Sequence, residues 1–142
     1  MTRIGLVGCA SQKRTRPAPA RVLYVSALFR KASEYAEATC DRWYVLSAKH
    51  GLVHPDEVLA PYNVKLGTKA GPPIWDWADR VAGQLHETLA GVEDPHLVVL
   101  AGEQYRTVLR RVDYPHEVPM EGLMLGEQLR WLTTRSGGDP NV

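Results

Sequence analysis

Cysteine is scarce in this chain: only Cys9 and Cys40 occur, in no CxxC spacing and behind no secretion signal. That argues against a disulfide scaffold and points to reduced thiols in the cytoplasm. Long hydrophobic runs are missing too. The opening apolar run, Ile4 to Val7, is too short for a signal peptide, and nothing approaches the roughly 20 residues of a membrane helix, so no membrane partner is expected. The phosphate fingerprints GxGxxG and GxxxxGK[ST] are absent, as is the GxSxG nucleophile elbow, which argues against dinucleotide enzymes and NTP-cleaving enzymes. Among five histidines, only His50 and His54 are neighbours, with no cysteine beside them. No metal site and no cofactor are expected. Acids are missing from the N-terminal part: seven Lys and Arg residues precede Glu34, the first acid, while ten bases and sixteen acids follow, so +7 and −6 combine to the net +1. This asymmetry suggests a polyanion partner for the N-terminal segment, unless the fold mixes the two halves.

What is present fits one domain. A chain of 142 residues can bury roughly 70% of its unfolded surface, enough for a core without staples. Arg3–Cys9 reads as a first strand, Trp43–Ser47 as a second, His96–Gly102 as a third and His116–Pro119 as a short fourth. Between them, residues 27–39 form a helix with Ser26 as its N-cap and Cys40 at its close. Ile74–Gly91 is the clearest helix, with Ile74, Trp77, Ala78, Val81, Leu85 and Leu89 on one stripe and Gly91 as its stop. Shorter helices are expected over Glu103–Val112 and Leu123–Thr133, a solvated tail over 135–142, and a single domain over 1–134. Apolar strands that do not alternate, separated by helices, predict an α/β fold: a three- to four-stranded, mostly parallel sheet with helices on both faces. Residues 48–73 read as one long connection, unusual enough in length to suggest function.

In such sheets ligands bind beyond the carboxyl ends of the strands. Three loops lie there. After the first strand, Cys9 and Ser11 are small, and Lys13, Arg14 and Arg16 follow as phosphate-holding groups. After the second come Ser47, Lys49 and His50. After the third, Gly102 leads toward Tyr105 and a helix start that offers unpaired N–H groups to an anion. Asp56 is the candidate carboxylate beside these cations, with Glu121 in reserve, and Tyr24, Tyr62 or Tyr105 can stack on a base. Two further readings stand beside this one. Cys9 with His50 as its base would make a thiol hydrolase, and Asp56 and Tyr62 can equally serve as a turn residue and a packing residue.

The block VLSAKHGLVHPDEVLAPYNVKLG resembles the LSxxYGLLxPxDxIxPYxLxMG block of the YaaA-like peroxide-stress proteins. It is more similar still to a family of short bacterial and phage proteins of unknown function related to them. The shared features are the loop with Cys9, Ser11 and Lys13, the segment PARVLYVSALF with Tyr24, Ser26 and Phe29, and the later LAGEQY and MEGLMLGEQLRWL. His50 stands where the block usually carries an aromatic, and no helix-hairpin-helix signature accompanies it. The resemblance implies DNA binding and protection of DNA under oxidative stress, and related α/β folds include enzymes that cut N-glycosidic bonds. The expected function is therefore directed at a nucleic acid or nucleotide. One form is an N-glycosidase-like enzyme that extrudes a base and uses Asp56 at an oxocarbenium-like state. The other is a DNA-binding module that holds phosphates through its basic N-terminal segment.

Overall fold

The computed structural model describes residues 1–135; the expected tail therefore lies outside the described residues apart from Arg135, which ends the last helix. In chain order the elements are β1 (Thr2–Gly8), β2 (Ala18–Pro19), α1 (Ala20–Leu23), α2 (Ala27–Thr39), β3 (Arg42–Ser47), β4 (Gly51–Val53) and β5 (Val58–Leu59). They continue with α3 (Ile74–Leu89), β6 (Pro95–Leu100), a 3₁₀ helix (Tyr105–Arg110), β7 (His116–Glu117) and α4 (Leu125–Arg135).

The main sheet has five strands in the order β4-β3-β1-β6-β7. β1 pairs in parallel with both β3 and β6, β6 with β7, and only β4 runs antiparallel, against β3. The α/β class and the parallel sheet are as the unalternating strands predict, but the sheet holds one strand more than expected. The extra strand is β4, hidden at the start of what reads as a long loop. Gly51 makes it: at φ 75° it turns the chain back so that it pairs opposite Ser47, a left-handed conformation natural to glycine. A side chain there would also meet Gln84, whose Oε1 would lie 2.2 Å from the added Cβ. A second, two-stranded sheet pairs β2 with β5, pinning the 51–59 segment against the chain before α1. Pro19 is tolerated because it sits on a two-residue edge.

The strands bury both faces. Ile4, Leu6, Tyr44, Leu46, Leu97 and Val99 pack against α3 and the 3₁₀ helix, around Trp77, Val81, Leu85 and Val108. Val7, Trp43, Val45, Val98 and Leu100 pack on the other face against α2 and α4, around Phe29, Ala32, Ala36 and Leu132. Alternate residues of one strand thus serve two cores, which is why the strands read as continuous apolar runs. The caps behave as their sequences suggest. Ser26 Oγ accepts the Phe29 N–H at 3.1 Å, and Gly91, at φ 81°, follows the end of α3. No helix among the described residues is long and apolar enough to cross a membrane.

This order has a functional consequence. The chain leaves β1 through α2 to reach β3 on one side, then returns through α3 to β6 on the other side of β1. The carboxyl ends of β1 and β6 therefore flank a topological switch point, where loops diverge and leave a crevice.

Candidate functional site

Each loop at the switch point is held by backbone pairing. The Cys9 N–H donates to the Leu46 carbonyl at 2.9 Å, so β1 pairing continues one residue past the strand and fixes Cys9 at the sheet edge. The following loop then lies antiparallel to residues 23–25: Arg14 N–H donates to the Leu23 carbonyl at 2.8 Å and Val25 N–H to the Gln12 carbonyl at 3.0 Å. This sets Lys13 beside Tyr24.

The many polar residues after β3 form one network. Ser47 is fully buried; its Oγ accepts the His50 N–H at 3.1 Å and lies 2.7 Å from the Tyr62 hydroxyl. Its carbonyl accepts the indole N–H of Trp77 at 2.9 Å. The Tyr62 hydroxyl also bonds that of Tyr24, and the His50 ring meets the Tyr62 ring edge-on, 5.3 Å between centroids. Lys13 Nζ stands 4.4 Å from the Tyr62 ring centroid and 5.7 Å from that of Tyr24, a cation over two aromatic faces. On the other side, Cys9 Sγ lies 3.2 Å from the Tyr105 hydroxyl, and the Tyr105 ring packs edge-on against Trp77 at 5.3 Å.

Burial governs the protonation of this cluster. It pushes Tyr24 up to about 12, and raises Tyr62 and Tyr105 as well, with the nearby Cys9 thiol adding to the rise in each. The three hydroxyls thus stay neutral at ordinary pH and act as hydrogen-bonding groups. Lys13 is shifted below the usual lysine range by burial, opposed by Cys9 and reinforced by the charge of Lys65. His50 is lowered by burial and by Lys49, with Glu57 opposing and Arg80 assisting, which favours its neutral ring.

Two cavities open on this cluster and meet at Cys9, Ala10 and Tyr105. The first, about 350 Å³, is walled by Leu28, Phe29, Val99, Leu100, Met120 and Leu125, with Ser26, Arg106 and Gln128 as its polar groups besides the shared pair. The second, about 370 Å³, is polar and cationic, lined by Ser11, Lys13, Asn63, Lys65, Thr68 and Gln104. The segment carrying Lys65 lies tight against the loop after β6: at Gly67, φ 79°, an added Cβ would come 2.6 Å from the Gln104 amide nitrogen. No aspartate or glutamate lines either cavity among the described residues.

Of the residues singled out in the sequence, Cys9, Ser11, Lys13, Gly102 and Tyr105 line these cavities. Tyr24, Ser47, His50 and Tyr62 form the network behind them. Tyr24 is only 3% exposed and packs on Phe29, so its ring is a wall rather than a stacking surface. Lys49 is exposed and lends its carbonyl to Arg80. Arg14 and Arg16 are exposed as well, with Arg14 Nε donating to the Val22 carbonyl. Gly102 lines the first cavity, but the helix after it is a six-residue 3₁₀ segment that starts only at Tyr105. Such a short, tight helix sums little dipole, so its start is no strong anion site. Cys9 is paired with Tyr105 and not with His50, whose ring faces Tyr62.

The two carboxylates are apart from the cluster. Asp56 is exposed, bound to Arg21 Nε at 2.9 Å and facing the His54 ring. Glu121 lies on a third groove with Trp75, Glu103, Arg110, His116 and Glu117, which adjoins the first cavity at Arg106 and Val118. Asp56→Asn is therefore expected to lower stability by less than about 1 kcal/mol, the worth of an exposed ion pair, and to leave ligand binding unchanged. Denaturant unfolding and a binding titration of the same variant check both halves.

Lys65, Asn63, Arg106 and Gln128 are site-lining residues that the strand-end rule does not reach, whereas Gln104 lies in the loop after β6 that it marks. Lys65 and Asn63 come from the long connection, marked by its unusual length and by the family-like block that ends in it. Arg106 and Gln128 belong to helical segments; Gln128 falls in the family-like segment MEGLMLGEQLRWL, and Arg106 lies just past LAGEQY.

The model of a family of unknown function (DUF6884) matches residues 4–134 of the chain, and the chain belongs to that family. The uncharacterised protein YfjM of Bacillus subtilis is 34% identical over 125 residues, covering 82% of this chain and 81% of that protein. UPF0246 proteins, which are of the YaaA family, are also similar. That of Caulobacter vibrioides is 34% identical over 83 residues, 55% of this chain but 31% of the relative, and that of Methylibium petroleiphilum 36% over 66 residues, 43% and 26%. The chain matches about a third or less of the length of these two longer relatives. The resemblance to YaaA-like proteins, and to a shorter family beside them, thus holds.

Proposed function

We propose that this member of a family of unknown function binds a nucleoside phosphate at the switch point, with the base in the apolar cavity and the phosphate between Lys13 and Lys65. The observation that carries the reading is the meeting of two cavities of opposite character at the Cys9–Tyr105 pair. A nucleotide has that same division: a flat, largely apolar base joined to a dianion. Lys13 is lowered chiefly by burial, with the nearby charge of Lys65 adding to it; an anion between the two lysines offsets their repulsion and gains a charge-assisted contact with each. Reduced, unpaired Cys9 and Cys40 suit a cytoplasmic protein.

Binding is favoured over N-glycosidic cleavage. Cleavage needs a carboxylate near the sugar, and the cavities carry none among the described residues, while Asp56 is held by Arg21. The nucleotide is either free or part of a single strand, whose neighbouring phosphates would meet the exposed Arg14 and Arg16. Calorimetric titration separates these: the four ribonucleoside monophosphates, the matching nucleosides and a short single-stranded oligonucleotide, each at low and high salt. The reading expects the monophosphates to bind more tightly than the nucleosides and to weaken with salt. Preference for the oligonucleotide, with a steeper salt slope, identifies a strand as the source. Absence of heat with every ligand at roughly millimolar concentration, with folded protein, overturns the reading. Released base in the oligonucleotide sample would restore the enzyme.

A further inference from the structure

We propose that the apolar cavity selects guanine among the bases, reading it with Arg106 and Gln128. This rests on the nucleotide reading above and adds the identity of the base.

The polar side chains of that cavity are few, and the protein fixes which way they offer hydrogen bonds. Arg106 donates through Nη1 to the Ala101 carbonyl at 3.3 Å, which ties the guanidinium to the end of β6. It makes no other hydrogen bond and no ion pair among the described residues, although it also borders the adjoining groove that carries Glu103, Glu117 and Glu121. Gln128 donates through Nε2 to the Leu123 carbonyl at 2.8 Å. Because a carbonyl can only accept, that bond orients the amide, and Oε1 is left as an acceptor with no donor among the described residues. Ser26 Oγ already accepts the Phe29 N–H, so its own hydrogen remains to donate. Apart from the Cys9–Tyr105 pair, which bond each other, the other side chains of the wall are hydrocarbon, including Leu28, Phe29 and Met120.

The cavity therefore presents a forked donor, a fixed acceptor and a hydroxyl donor on an apolar surface. Guanine matches this set: O6 and N7 are paired acceptors suited to an arginine fork, and N1–H and the 2-amino group are donors suited to Gln128 Oε1. Adenine turns an amino donor toward the arginine and offers no donor at its N1 or C2 side. Both protein groups would then be desolvated without partners, which is where such sites reject the wrong ligand. Hypoxanthine keeps O6, N7 and N1–H but lacks the 2-amino group, and should rank between the two. Cytosine places its amino donor where an acceptor is wanted.

The test is a titration of GMP, IMP, AMP and CMP into the wild-type chain and into Arg106→Lys and Gln128→Met, each variant first checked for an unchanged thermal midpoint. The expected result is GMP tighter than AMP by about 10- to 100-fold, the discrimination of a good bidentate pair, with IMP between. Arg106→Lys keeps the charge but loses the fork, so it should shrink the GMP-to-AMP ratio to a few-fold while AMP affinity holds. Gln128→Met should bring GMP down to IMP. Equal affinity for GMP and AMP, or an unchanged ratio in Arg106→Lys, overturns guanine selection and leaves nucleotide binding standing. If no monophosphate binds the wild type, guanine selection and the nucleotide reading fail together.

Discussion

Replacing Lys13 by alanine is expected to weaken nucleotide binding about 10- to 100-fold, the worth of a hydrogen bond to a charged group, while the fold stays nearly as stable. The two halves of this expectation have one cause. In the free protein the Lys13 ammonium is half-buried, near the charge of Lys65, and its proton is held less firmly than in a solvated lysine. Its compensation is a bond to the Ser11 carbonyl at 3.2 Å and the face of Tyr62 at 4.4 Å, the latter on the order of 1 kcal/mol at such a site. Truncation therefore removes a desolvation penalty together with the two contacts that offset it, and folding changes little. Binding is different, because a phosphate between Lys13 and Lys65 is the anionic partner that the ammonium has nowhere else among the described residues. Titration calorimetry reads the affinity, and urea unfolding of the same sample reads the stability. A Lys13→Ala protein that binds as tightly as wild type would place the phosphate elsewhere.

Trp77→Ala is expected to cost about 3–5 kcal/mol of stability, the range for truncating a buried aromatic, out of a total on the order of 5–15 kcal/mol. Trp77 is 1% exposed at the centre of the core beneath α3. It also reaches the site from below: its indole N–H holds the Ser47 carbonyl, and its ring supports Tyr105. Trp77→Phe separates these contributions. It keeps most of the apolar volume but leaves the Ser47 carbonyl without its donor, a loss of about 1–3 kcal/mol. Since Ser47 positions Tyr62 and His50, the phenylalanine variant should also bind nucleotide more weakly than its small stability loss suggests. Denaturation midpoints for both variants, with titration of the phenylalanine variant, give the comparison. Wild-type stability in Trp77→Ala would mean that the α3 core is far looser than its packing indicates.

The fold was legible where burial is two-sided. β1, β3 and β6 are runs such as IGLV, YVL and LVVL because each residue faces a helix layer on one side or the other, and α3 carries an unbroken stripe from Trp77 to Leu89. Ser26 marked the start of α2 by the chemistry of its hydroxyl. What escaped was decided by contacts between distant segments. β4 is three residues long and is recognisable only once Gly51 is known to be left-handed, and the β2–β5 pair joins segments some forty residues apart through two residues each. Loop chemistry was legible in kind but not in arrangement. Lys13, Cys9, Ser47 and Tyr62 converge as their positions after parallel strands imply. Asp56, equally polar and only a few residues from Tyr62, turns instead to Arg21, because the β2–β5 pairing brings α1 beneath it. Pairing at Pro19 and Val58 thus decides which charged residue of the block faces the crevice, and no local pattern records it.

The central claim is that one ligand spans the two cavities, and the most direct measurement is a calorimetric comparison of GMP with guanosine and with inorganic phosphate under the same buffer. Occupation of both cavities predicts that GMP binds more tightly than either fragment, and that Lys13→Ala brings GMP toward the level of guanosine, with Lys65 left to hold the phosphate. GMP binding no better than inorganic phosphate, or no GMP binding by the folded protein, would contradict it.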